Sequence, residues 1–73
     1  MILPLCDLLP GQHARVESID EENREDLRKV LTLGILPGDE VELIRRSPSV
    51  VFAHGATQFA LDARLAERIR VEV

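Results

Sequence analysis

Apolar and polar positions along this chain alternate in short bursts, and proline, glycine or acidic residues interrupt each burst before it grows long. The run His13-Ala14-Arg15-Val16-Glu17-Ser18-Ile19 has period two, as a strand with one buried face requires. Ala14 and Val16 share a face, whereas Ile19 falls out of phase, which predicts a bulge or a barrel bend before it. Glu40 to Arg46 repeats the alternation with Val41 and Leu43 inward. Val50 to Ala53, Thr57 to Leu61 and Ile69 to Val73 supply three more strand-like runs.

Residues 20 to 33 change period. Leu27, Val30 and Leu31 fall at i, i+3 and i+4, one apolar stripe of a helix. Asp20 or Asn23 is placed to cap it, with Asp20, Glu21 and Glu22 where the helix dipole favours negative charge. Glu25 and Lys29 form an i, i+4 pair of the favourable order. Gly34 stops the helix, because glycine takes the left-handed C′ conformation without steric cost. Leu36-Pro37-Gly38-Asp39 then specifies a type II turn: proline presets φ at the second position and glycine accepts positive φ at the third. Pro10-Gly11, Ser47-Pro48-Ser49 and His54-Gly55 mark further turns, and Ala63 to Arg68 is long enough for one short helical turn. The expected fold is mainly β: a small barrel of about five strands with one helix inserted after the first strand. Turn signals at this spacing are those of an all-β barrel or sandwich, and closure would remove exposed edges.

Length and charge narrow the picture. The 73 residues give room for a single domain, residues 1–73, with a thin core built from aliphatic side chains and only Phe52 and Phe59 as aromatics. Nine basic residues against 13 acidic ones leave a net charge of −4, which speaks against nucleic acid and against adsorption to an anionic membrane. No run approaches the length of a membrane span, and Pro4 and Asp7 break the apolar opening before it could serve as a signal peptide. A lone cysteine, Cys6, fits a reducing compartment, so the expected location is cytoplasmic.

Reactive chemistry is sparse. Cys6, His13 and His54 have no CxxC or HxxxH spacing, and they read as a partly buried thiol and two surface imidazoles. The acidic run Asp20, Glu21, Glu22, Glu25, Asp26 alternates with Arg24 and Arg28 and reads as a solvated, salt-bridged helix face. No phosphate-binding loop is present, and no nucleophile is paired with a base, so neither catalytic residues, a cofactor nor a metal site is expected. The lack of Trp and Tyr removes the aromatic groove that proline-rich peptides need. What remains is surface. Ile35 and Leu36 share one tight loop with Pro37 and Gly38; one of the two aliphatics is expected to plug the barrel end, and the segment reads either as simple core closure or as a docking anchor built on the other. Arg45 and Arg46, with Arg64, Arg68 and Arg70, read either as a contact for an acidic partner or as ordinary strand and helix surface.

The run Leu27-x-x-Val30-Leu31-x-Leu33-Gly34-Ile35-Leu36-Pro37-Gly38-x-x-Val41 resembles the signature of the FeoA family: a helix, leucine-glycine, a hydrophobic pair, and proline-glycine entering a strand. Leu5-x-x-Leu8-x-x-Gly11-x-x-Ala14-x-Val16 upstream is similar to the family's opening, and Ala60-Leu61 with Ala66, Ile69 and Val71 to its ending. The resemblance covers about Leu5 to Val73. It implies an SH3-like barrel that acts as a non-catalytic accessory of bacterial ferrous-iron uptake. It further implies docking on the cytosolic part of FeoB, the membrane Fe(II) transporter with a GTP-binding domain, by a monomer or weak homo-oligomer. Partner-contact residues are expected at Ile35, Leu36, Pro37, Gly38, Arg45 and Arg46. Asp62 and Leu65 depart from the family's usual arginine and glutamate, which puts any contact through that pair in doubt. Two other readings compete: a regulatory module like the C-terminal domain of DtxR-type metal-dependent repressors, and a small metal-binding protein.

Overall fold

A computed structural model describes residues 1–73. Its elements are β1 (Ile2–Pro4), a 3-10 helix (Leu5–Asp7), β2 (His13–Ile19), α1 (Arg24–Thr32), β3 (Glu40–Arg45), β4 (Val50–His54), β5 (Thr57–Leu61), α2 (Ala63–Glu67) and β6 (Ile69–Glu72). The strands form one antiparallel sheet in the order β1-β6-β2-β3-β4-β5. It has six strands rather than about five. The additional one, β1, is three residues long and ends on proline, too short to show alternation and suited only to a sheet edge. The helix therefore follows the second strand, not the first. β1 and β5 each pair on one side only, so hydrogen bonding does not close the ring and two short edges remain.

Two bulges set which side chains face inward. Between Val16 and Ser18 the β2–β6 register shifts by the extra residue Glu17, and Ile19 is thereby brought opposite Ile69. The phase break in the sequence is this bulge. A second bulge, at Ile44, lies between the Leu43–Phe52 and Arg45–Val51 pairs. Without it Arg45 would follow Val41 and Leu43 onto the inner face; with it, Arg45 is exposed.

The core gathers Leu5, Leu8, Val16, Val30, Ile35, Val41, Leu43, Val50, Phe52, Ala66, Ile69 and Val71. Phe59 packs its half-buried ring against Phe52 with centroids 5.6 Å apart. The helix is shorter than the pattern suggested. Asn23 caps it, its side chain accepting from the Asp26 amide at 3.0 Å, while Asp20 accepts from the Glu22 amide in the preceding loop. Of the expected stripe only Val30 is fully buried; Leu27 is half-buried and Leu31 is 44% exposed. The second buried position on this helix is taken by Asp26, whose side chain is 3% exposed. Its carboxylate pairs with Arg64 of α2 and lies 3.5 Å from Arg68 Nε. Arg68 and Arg70 also hold Asp20, at 3.2 and 3.6 Å. The expected Glu25–Lys29 pair does not form; α1 is tied across the fold rather than along its own surface. The short helical turn after β5 is present as α2, capped by Asp62 through the Leu65 amide at 2.8 Å, with Leu65 buried. Both departures from the family pattern thus have structural roles.

Candidate functional site

The segment from Gly34 to Asp39 joins α1 to β3. Gly34 adopts φ +81° after the last helical turn, with its amide donating to the Leu31 carbonyl. The chain then reverses through Leu36-Pro37-Gly38-Asp39, where the Asp39 amide donates to the Leu36 carbonyl at 3.1 Å and Gly38 takes φ +95°. This is the turn that proline followed by glycine specifies. Its two aliphatics part company: Ile35 is fully buried in the core, and Leu36 is 55% exposed.

What holds Leu36 outward is polar. The Asp39 carboxylate accepts from the Leu36 amide at 3.0 Å and, through the same Oδ2, meets His54 Nε2 at 2.8 Å. Behind the turn the Gly38 amide donates to the Val16 carbonyl at 2.7 Å, and the Val16 amide donates to the Asp39 carbonyl at 2.8 Å. The turn is therefore tied to β2 on one side and to β4 on the other. The Leu36 amide, and then His54, hold the Asp39 carboxyl below the usual carboxylate range. His54 is thus half-buried and engaged, not the surface imidazole its sequence position suggested. No local signal announces this pair, because the β3–β4 hairpin brings together residues from two separate turns.

Arg45 and Arg46 are exposed, and neither lies within ion-pair distance of a carboxylate. The Leu36 turn enters β3 at Glu40 and the arginines leave it at Arg45. At a rise of about 3.3 Å per residue, the two features stand roughly 17 Å apart along the strand. They are two separate patches, with Ile44, 38% exposed at its bulge, beside the arginine pair. The remaining basic candidates, Arg64, Arg68 and Arg70, are committed to Asp20 and Asp26. The Asp26 carboxylate raises the Arg64 pKa further above its already high value.

A groove beside the turn is lined by His13, Asp39, Glu40, Glu42, Ala53 and His54, among others. The His13 ring lies between two carboxylates, Glu40 at 3.6 Å from Nδ1 and Glu42 at 3.7 Å from Nε2. These approach opposite ring nitrogens, so one ion cannot be ligated by His13 and both carboxylates together. No cluster of three or more histidine, cysteine or carboxylate groups is arranged to hold a metal. Cys6 sits elsewhere, packed against the core with its Sγ 3.8 Å from Asp7. Burial pushes the thiol pKa up, and the Asp7 and Glu67 carboxylates add to the effect, which keeps the sulfur protonated and weakly nucleophilic. No helix is long and apolar enough to cross a membrane.

The family model for the FeoA domain matches residues 3–73. No curated protein sequence matches the chain. Among solved structures, the iron uptake regulatory protein FeoA superposes with a TM-score of 0.87 at 25% identity, over 99% of this chain and 96% of that one. The zinc complex of FeoA from Stenotrophomonas maltophilia, described as an SH3 domain protein, gives 0.84 at 29% identity over 96% and 89% of the two chains. IdeR from T. acidophilum shares the fold, with a TM-score of 0.89 at 22% identity; this chain spans 34% of its length. With a family model spanning nearly its whole length and an SH3-like sheet that superposes on FeoA structures, the chain belongs to the FeoA family.

Proposed function

We propose that this chain is a non-catalytic adaptor of bacterial ferrous-iron uptake that docks, in the cytoplasm, on the cytosolic part of a FeoB-like transporter and modulates it. The observation that carries this reading is Leu36. A large aliphatic side chain is held out to solvent on a turn fixed to two strands, while its neighbour Ile35 is spent on the core. A rigid exposed apolar residue loses little entropy on docking and suits an interface anchor. Pro37 and Gly38 shape the turn, and Arg45 and Arg46 offer a second contact to an acidic surface. Family membership supplies the link to iron transport.

The test is a titration of the full chain with the isolated cytosolic domain of a FeoB-like transporter. Binding should be lost or strongly weakened by Leu36→Glu and reduced by reversing Arg45 and Arg46, while deletion of the protein should change ferrous-iron uptake. No binding, together with normal uptake after deletion, removes the proposal.

A regulatory-module reading has the likeness to IdeR behind it, which is a likeness of fold alone. It predicts association with a DNA-binding repressor in place of a transporter, and the same titration against each partner separates the two.

A further inference from the structure

One face of α1 is unused by the fold. Asp26 and Val30 point into the molecule; the side turned away carries Arg24, Arg28 and Leu31, with the half-buried Leu27 on its flank, a stripe at i, i+3, i+4 and i+7. With Thr32 these residues line a shallow depression on the helix surface. Leu31 is 44% exposed and Leu27 half-buried. Isolated surface leucines are ordinary. Here two of them are adjacent on one stripe and flanked by two arginines, neither of which is in an ion pair. That separates this stripe from Arg64, Arg68 and Arg70, whose charge is already met by Asp20 and Asp26.

We propose that this stripe is a second docking surface, and that its occupant is an acidic amphipathic helical segment of a partner protein. The partner's aliphatic side chains would cover Leu27 and Leu31, and its carboxylates would meet Arg24 and Arg28. The anchor spacing is that of helix-to-helix recognition, and charge complementarity fixes the sign of the partner. An anionic membrane fits less well: a nine-residue helix offering two leucines has little apolar area to insert. The surface shares no residue with the Leu36 turn, so this inference goes beyond the adaptor reading and stands or falls separately.

The experiment is a titration of the 15N-labelled full chain with a synthetic peptide bearing leucines at i, i+3, i+4 and i+7 with glutamates beside them. A matched peptide with lysines replacing the glutamates, and phosphatidylserine vesicles, serve as comparators. The glutamate peptide should shift the amide resonances of Arg24, Leu27, Arg28, Leu31 and Thr32. Arg24→Glu with Arg28→Glu should weaken binding by at least about tenfold, since like charges then face each other. Leu31→Ser should also weaken it, with the remainder of the spectrum unchanged, and Leu36→Glu should leave it intact. Equal affinity for the lysine peptide, shifts confined to other elements, capture by the vesicles through α1, or self-association through these same residues each overturns the proposal.

Discussion

His54 Nε2 lies 2.8 Å from Asp39 Oδ2, across 15 residues of sequence, and that same oxygen accepts the Leu36 amide. The display of Leu36 is thereby linked to a residue at the end of β4. Because Asp39 has a depressed pKa, its contribution is fully present above the ordinary carboxylate range and is lost as pH falls through the lowered value. The Leu36 amide resonance should therefore move with a midpoint below that ordinary range when followed by NMR against pH. His54→Ala removes one of the groups stabilising the carboxylate, so the midpoint should rise. A midpoint unchanged in that variant would show that the imidazole does not help hold the turn.

Ile35 and Leu36 should behave as opposites although they are neighbours. Ile35→Ala empties part of a sealed core and should cost about 2–5 kcal/mol. Leu36→Ala touches a side chain that is mostly in water and should stay within about 0.5 kcal/mol of the wild type. Urea unfolding followed by circular dichroism decides this, the chain having no Trp or Tyr to report by fluorescence.

Asp26 is the one buried charge, and its partners come from the far end of the chain. Replacing Arg64 and Arg68 together by alanine leaves the carboxylate buried without a cation, at a cost of about 3–5 kcal/mol. Adding Asp26→Ala to that pair should recover part of the loss, because the uncompensated charge is gone. A triple variant less stable than the double, in the same unfolding assay, would contradict this account of how α1 is tied to the barrel.

Gly38 tests the turn itself. An added Cβ would meet nothing within 4 Å, so steric crowding is absent and only the φ of +95° opposes a side chain. Gly38→Ala should accordingly cost about 1–2 kcal/mol through backbone strain alone. A neutral substitution in equilibrium unfolding would mean that the turn relaxes freely.

Where a signal is carried by residues within four positions of one another, the sequence was legible. Alternation placed β2, β3 and β6, turn signals bounded β4 and β5, the phase of Ile19 announced a bulge or bend, Gly34 and Pro37-Gly38 defined the route from helix to strand, and the crowding of two aliphatics in one loop implied that they must separate. These follow from backbone geometry, which repeats every two or 3.6 residues and leaves its period in the side chains. Which of the pair turns outward was not legible, nor was the pairing of His54 with Asp39. Periodicity places Leu31 in the core and Asp26 in solvent, and the fold reverses both.

Apart from the short edge strand β1, the succession of strands, helices and turns was determined by the sequence alone, as was the resemblance to the family. The three-dimensional packing decided which face of α1 meets the barrel, which arginines are already engaged, and which leucines stay exposed. Those choices depend on residues far apart in the chain, 38 positions for Asp26 and Arg64 and 48 for Asp20 and Arg68. Such contacts exist only after strand register and helix docking have fixed the distances between them, and local periodicity carries no trace of that.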